Sequence, residues 1–454
     1  MSQELHEFLA ARPGLRFIDL LLHDLNGVDR GKRVDVGSAP AAFANGMLLP
    51  GSMFALDVPG HTVEETGFGF DEGDADRPCL PIPGTLLDVP WLDHNVAQAQ
   101  VTMHERDGRP FAGDPRHLLK RVLERFRELG LTPVVAVELE FYLIDGALNA
   151  QGLPQPPPSP LTGRREHRTQ INSMIDLDAY SKVLADIDAT CLAQRVPSTT
   201  ALAEYGPGQF EVNLAHCADA IVCCDQAARF KRLVKCVARH HGMDATFLAK
   251  PYADMAGSGL HLHVSLNDAD GRNAFADEHP LGTQLMRHAA AGLLATMADG
   301  MAVFAPLANS WRRFRPSAYV PLTADWSVNN RGAALRVPVS DAANRRLEHR
   351  AAGADANPYL VMAWVLGGIL KGITDKQEPR APLQGNAYKI GQELGEPLPH
   401  YWPTALDRFQ HSHFAQELLG PDLHRLYSMV KRHELDEFNG FVTAQEMALY
   451  LPAL

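Results

Sequence analysis

The chain has 454 residues, 46 % of them hydrophobic and 21 % charged, ordinary values for a soluble globular protein and length enough for two or three domains. With 42 Lys plus Arg against 54 Asp plus Glu, a formal charge of −12 and no basic block, it is a poor candidate for binding nucleic acid or an anionic membrane. Six cysteines (Cys79, Cys191, Cys217, Cys223, Cys224 and Cys236) show no CxxC spacing, which argues against a zinc knuckle or redox motif and for a reducing, cytoplasmic setting.

The first seven residues are acidic, lack an apolar core and do not read as a signal peptide. Residues 17–22 predict a strand, Asn26-Gly27 a hairpin turn, residues 32–36 the returning strand and residues 96–104 another. After the turn Asp107-Gly108-Arg109-Pro110, Asp114-Pro115 opens a helix with the apolar stripe Leu118, Leu119, Val122, Leu123, Phe126 and Leu129, ending at Gly130. A domain boundary is expected here, giving domains 1–107 and 112–454. Further along, residues 134–141 predict a strand, 150–165 an exposed Pro-rich loop, 178–195 and 222–241 helices, and 261–266 a strand. Residues 289–308 predict a buried Ala-rich helix rather than a membrane span, because Asp299 and Pro306 interrupt them. Residues 331–339 predict a strand, 355–372 an apolar helix and 374–454 short helices and loops. The expected class is α+β, a small β-rich domain followed by a larger one.

Four segments carry chemistry. In Glu138-Leu139-Glu140 the two acids share one face of a largely apolar strand, and buried acids in register need a cation or protons between them. The bland alternative is a barrel rim with ion-paired acids. Glu204 and Glu211 flank Gly206-Pro207-Gly208, a turn that can bring them together or simply be an exposed loop. Gly257-Ser258-Gly259 leads into a strand with His261, His263 and Ser265 on the face opposite Leu262, Val264 and Leu266. Arginines at 312, 313, 315, 331, 336, 345, 346 and 350 sit among Trp, Phe, Leu, Ala and Pro, not in a solvated charge run. Glutamates with an imidazole suit Mg²⁺ or Mn²⁺, and such ions with arginines are equipment for phosphoryl transfer. There is no Walker A loop and no kinase signature.

In this order and spacing the four segments closely resemble the class I glutamine synthetase family, over most of the chain. The resemblance implies an N-terminal β-grasp domain, a catalytic domain built on a partial β barrel, and a homo-oligomer, a hexameric ring or a dodecamer of two rings, with active sites between subunits. It implies ATP as co-substrate, phosphorylation of the glutamate side-chain carboxylate, and attack by an amine. Carried over by position, Glu140, Glu204 and Glu211 match the ligands of one metal ion and Glu138, His261 and Glu348 those of a second. Arg313 and Arg350 match the arginines that hold glutamate or its phosphorylated carboxylate, and Gly257 lies in the glutamate loop. Arg331, Arg336 and Arg346 match phosphate-contacting arginines, and His263 and Ser265 match nucleotide-site positions.

The departures point to the nucleophile. The family's flap glutamate, which closes over ammonium and helps deprotonate it, falls on Tyr319. Pro50, in Leu49-Pro50-Gly51-Ser52-Met53, stands where a neighbouring subunit supplies an aspartate to the ammonium site, and Ala256 replaces an asparagine of the glutamate loop. Glu348-His349-Arg350-Ala351-Ala352-Gly353-Ala354-Asp355-Ala356-Asn357-Pro358 and Gly73-Asp74-Ala75-Asp76-Arg77-Pro78 resemble the γ-glutamylputrescine synthetase branch, which joins glutamate to amines or polyamines. The expected activity is therefore ligation of glutamate to an organic amine, with Tyr319 as a wall or a base of the amine site. The alternatives are ordinary glutamine synthesis, an inactive homologue with a binding role, and a ligase for a related acid, motivated by Ala256.

Overall fold

The computed structural model describes residues 2–92, 95–168 and 171–454. The chain starts in a helix, Gln3–Ala10, that the reading of the N-terminus did not anticipate; Ser2 caps it by accepting from the Leu5 amide. A mixed sheet follows from β1 (Phe17–His23), β2 (Asp29–Asp35), β3 (Met47–Pro50), β4 (Asp76–Pro81), β5 (Leu87–Asp88) and β6 (Val96–Met103). Its order is β2-β1-β6-β4-β3, with β5 also on β6. β1 and β2 form the antiparallel hairpin expected around Asn26-Gly27, and Asp24 Oδ1 closes the turn by accepting from the Asn26 and Val28 amides. β1 and β6 run parallel, and the helix Ala39–Asn45 joins β2 to β3, a β-grasp topology.

The second sheet is a partly closed barrel of eight strands: β7 (Thr132–Asp145), β8 (Ser198–Ala203), β9 (Gln209–Leu214), β10 (Met243–Thr246), β11 (Leu260–Asn267) and, beyond the short β12 (Thr323–Ala324), β13 (Trp326–Val328), β14 (Leu335–Val337) and β15 (Leu347–His349). The order is β13-β14-β15-β11-β7-β9-β8, with β10 on the far end of β7. β7, 14 residues long, is the spine, pairing antiparallel with β9, β10 and β11. β12 pairs with β16 (Glu396–Pro397) in a separate two-stranded sheet. Helices Pro115–Glu128, Ala220–His240, Gln284–Met297 and Pro358–Thr374 pack behind it. The last two cross closely because their contact is glycine: a Cβ on Gly292 would lie 2.1 Å from the Gly368 carbonyl oxygen.

The two sheets are tied by buried polar contacts. Asn357 Nδ2 donates to the carbonyls of Asp24 and Leu25 (3.1 and 3.2 Å), and Asn26 Nδ2 donates to Glu434 at 3.3 Å. Three expectations are corrected. The strand predicted over 331–339 shrinks to β14, because Asn330 Oδ1 accepts from the Gly332 amide and Asp325 Oδ1 from the Ala334 amide, holding 330–334 as a turn. The Pro-rich loop is not wholly exposed: Pro156, Pro157 and Ser159 are buried, and Arg165 pairs with Asp145 at 2.6 Å. The apolar run 289–308 is two helices, Gln284–Met297 and Met301–Phe304, and the C-terminal part includes the 19-residue helix Pro421–Asn439. No helix among the described residues is long and apolar enough to cross a membrane.

Candidate active site

Strand alternation gathers the polar residues on the inner face of the barrel. β7 presents Glu138 and Glu140, β9 presents Gln209, Glu211 and Asn213, and β11 presents His261, His263 and Ser265. Register aligns them across strands: Glu140 lies opposite Glu211, Glu138 opposite Asn213 on one side and His261 on the other, His263 opposite Glu348, and Glu348 opposite Arg336. One row, Arg336, Glu348 and His263, thus runs across β14, β15 and β11, and a neighbouring row, His261, Glu138 and Asn213, across β11, β7 and β9.

Three clusters result, each with donor atoms within 4.8 Å of one another: Glu140, Glu204 and Glu211; Glu138, Glu211 and His261; Glu138, His263 and Glu348. Glu211 and Glu138 each belong to two of them. His261 Nδ1 is 3.3 Å from Glu138 Oε2. His263 Nε2 is 2.8 Å from Glu138 Oε1, while Arg346 Nε donates to His263 Nδ1 at 3.1 Å. Glu348, fully buried, lies between Arg336 (2.6 Å) and Arg350.

The electrostatics divide the acids into two kinds. Burial pushes Glu348 up, but Arg350, the two histidines and Arg336 outweigh it and hold the carboxyl at about 2. Glu138 is likewise held low by His261 and His263 against the effect of burial. For Glu204 and Glu211 the nearby arginines, Arg331 and Arg350 for the first and Arg350 for the second, do not outweigh burial. Burial first, then the neighbouring carboxylates, push Glu204 up to about 8 and Glu211 up to about 9. Crowded oxygen donors that repel one another and keep their protons are the donor set of a hard divalent cation, and Mg²⁺ or Mn²⁺ fits them.

That electrostatic state gives the first prediction. A carboxyl with a raised folded-state pKa stabilises the fold while protonated and loses that contribution as pH rises toward the folded value. The metal-free chain should therefore melt at falling temperature from pH 6 to pH 9, and Mg²⁺ or Mn²⁺ should restore it most at pH 9. At pH 7 binding should release between one and two protons, measured by calorimetry in buffers of different ionisation enthalpy. Binding without proton release would contradict the assignment.

These acids open into a cavity of about 400 Å³ that also takes Gly257, Arg313, Tyr319, Arg331, Arg336 and Arg350 into its walls. Arg313 is buried and donates to the carbonyls of Ala351 (2.9 Å) and Arg350 (3.3 Å). Arg336 Nε and Arg350 Nε are buried without a hydrogen-bond partner among the described residues, free donors for an anion. A second cleft, about 830 Å³, contains His263, Ser265 and Arg346. The two share Glu138 and Asn213, so the barrel offers one path from cleft to carboxylate cluster. Among the described residues, no lining residue of either comes from 1–107; Pro50 sits at the end of β3, opposite Asp76.

Sequence reasoning missed four residues here. Gln209 clamps two loops, accepting from the Gly206 amide and donating to the Gly257 carbonyl, both at 2.9 Å. The Tyr142 hydroxyl donates to the Ala256 carbonyl at 2.9 Å. Asn213 donates to Glu138 at 2.9 Å. Gln209 and Asn213 were detectable as the i−2 and i+2 neighbours of Glu211 on its strand face, and Tyr142 as the i+2 neighbour of Glu140. The fourth, Tyr205, follows Glu204 and had no such signal.

A partly closed barrel that lines up acids, histidines and arginines in this way defines a ligase of the glutamine synthetase kind. The catalytic domain of glutamine synthetase matches residues 112–450, and the chain belongs to the glutamine synthetase family, carbon–nitrogen ligases that use ATP and a divalent metal. It is 41 % identical over 446 residues to the gamma-glutamylputrescine synthetase PuuA of Escherichia coli (strain K12), covering 98 % of this chain and 94 % of that one. It is 32 % identical over 432 residues to the glutamate–isopropylamine ligase of a Pseudomonas species, covering 94 % and 93 %. A solved GmaS–ADP complex superimposes over 100 % of both chains with a TM-score of 0.86 and 28 % sequence identity.

Proposed function

We propose that this protein joins the side-chain carboxylate of glutamate to an organic amine, a polyamine or monoamine, through a γ-glutamyl phosphate formed from ATP. The observation that carries this reading is a contrast within one cavity. Its floor keeps the acids, imidazole and arginines of phosphoryl transfer, whereas its mouth is lined by Ile171, Leu202, Tyr205, Ala318, Tyr319 and Val320. The acids among its described lining residues are Glu138, Glu140, Glu204 and Glu211, all within the clusters, so the mouth holds no anionic cage for ammonium.

On this reading His263, Ser265 and Arg346 line the nucleotide cleft, and Arg331 and Arg336 meet the phosphates. Arg313 and Arg350 hold glutamate against the loop containing Gly257. The proposed ligands are Glu140, Glu204 and Glu211 for one ion and Glu138, His261 and Glu348 for another; Mg²⁺ or Mn²⁺ bound there neutralises the charge that builds on the transferring phosphoryl group. A γ-carboxylate oxygen takes the terminal phosphoryl group and ADP departs. The amine nitrogen then attacks the acyl carbon, phosphate leaves, and the nitrogen loses one proton. Residues 1–107 form a β-grasp domain and residues 112–454 the catalytic domain. The working unit is a homo-oligomeric ring, single or stacked, in which the segment around Pro50 closes a neighbour's site. The test is phosphate release from ATP with Mg²⁺ or Mn²⁺: it should require glutamate and rise with putrescine or an alkylamine at sub-millimolar concentration, and equal stimulation by ammonium would return the protein to glutamine synthesis.

A further inference from the structure

We infer that Tyr205 is a specificity-determining residue: with Tyr319 it forms an aromatic clamp that grips the carbon chain of the incoming amine. This rests on the ligase reading above and adds to it the group that selects the nucleophile.

The geometry carries the inference. The rings of Tyr205 and Tyr319 stack with centroids 6.1 Å apart and planes 27° from parallel, at the mouth of the cavity whose floor holds the carboxylates. Tyr205 directly follows Glu204, and both line the same cavity. Tyr319 is held in a left-handed conformation, φ +53°, costly for a bulky residue and maintained only where the surroundings impose it. The Tyr388 hydroxyl supplies part of that restraint by donating to the Val320 carbonyl at 3.2 Å. Yet Tyr319 remains 50 % exposed, presented to solvent rather than spent on the core.

The lining decides what the clamp accepts. Leu202, Ile171 and Val320 extend the aromatic surface. Arg331 also lines this cavity. An apolar wall favours an amine that carries methylene groups over bare ammonium, since each methylene removed from water contributes. The chemical class is therefore a primary amine carrying an alkyl chain, stacked on the two rings with its nitrogen toward the acyl carbon.

The test is kcat/KM of the full-length enzyme for ammonium, methylamine, propylamine, butylamine and putrescine in the parent, Tyr205→Ala, Tyr205→Phe and Tyr319→Ala proteins. In the parent, kcat/KM should climb with chain length. Tyr205→Ala should lose about 10-fold or more on butylamine and putrescine, mostly through amine KM, and little on ammonium or methylamine, which flattens the climb. Tyr205→Phe should keep the climb, because the ring face and not the hydroxyl does the gripping. KM for glutamate and ATP should stay within about 2-fold, the uniform-binding signature of an amine-site change. A climb retained in Tyr205→Ala, or a loss equal for ammonium and butylamine, overturns the clamp and leaves the ligase reading standing. A parent enzyme that prefers ammonium overturns both.

Discussion

Glu211→Gln should lower turnover by about a thousandfold, the scale expected when a preorganised charge that stabilises a transferring group is removed. Glu211 is the acid shared by the Glu140–Glu204 cluster and the Glu138–His261 cluster, so one substitution weakens both candidate ion sites. The replacement is nearly isosteric and keeps a hydrogen-bonding oxygen. The stability effect should have the opposite sign. In the metal-free chain Glu211 is pushed up to about 9 by burial and by Glu138, Glu140 and Glu204, so ionising it works against the fold. Glu211→Gln removes that ionisation, and the metal-free variant should melt at or above the parent's temperature at pH 9 while showing a smaller shift on adding Mn²⁺. Activity within tenfold of the parent would remove Glu211 from the ion site. A variant less stable than the parent without metal would show that Glu211 holds the strands together rather than waiting for a cation.

Gly259→Ala should cost about 100-fold in kcat/KM, though it adds only a methyl group. A Cβ there would lie 2.9 Å from His261 Nε2, 3.1 Å from Arg313 Nη2 and 3.3 Å from Glu140 Oε1. The methyl lands among a proposed ligand of each ion and the arginine proposed to hold glutamate. The Gly259 amide also donates to Glu140 Oε2 at 2.8 Å, so a shift of the loop to make room moves Glu140 as well. The expected stability cost is about 1–3 kcal/mol, the usual range for overpacking. Gly146→Ala is the control, because its Cβ would meet nothing nearer than the Gly242 carbonyl oxygen at 3.9 Å. Equal activity in the two variants would show that the loop gives way freely.

Much of this site could be read from strand alternation. Glu138 and Glu140, then His261, His263 and Ser265, are spaced by two on apolar strands, and the structure puts each set on one face. The pairing of strands from distant parts of the chain was not legible, and the clusters depend on it. Register sets His261 opposite Glu138 and His263 opposite Glu348, which no local pattern in the sequence shows. The loop supports were also hidden: Gln209 and Tyr142 act by hydrogen bonds to carbonyls of residues 257 and 256, contacts without a local pattern. Propensity misled over 331–339, where Asn330 and Asp325 impose a turn on residues that read as a strand. Tyr205 shows the limit most clearly, since its ring acquires meaning only once Tyr319, 114 residues away in sequence, is stacked on it.

The central claim is that the phosphoryl-transfer floor is intact while the mouth has exchanged ammonium for an alkyl amine. A single competition tests it most directly. The enzyme is given ATP, glutamate and Mn²⁺ with equal concentrations of ammonium and putrescine or butylamine, and the glutamine and γ-glutamylamide formed are counted by mass spectrometry. The account predicts that γ-glutamylamide outweighs glutamine by at least about tenfold, the least that one apolar contact in a fitted site gives. Glutamine in equal or greater amount would contradict it.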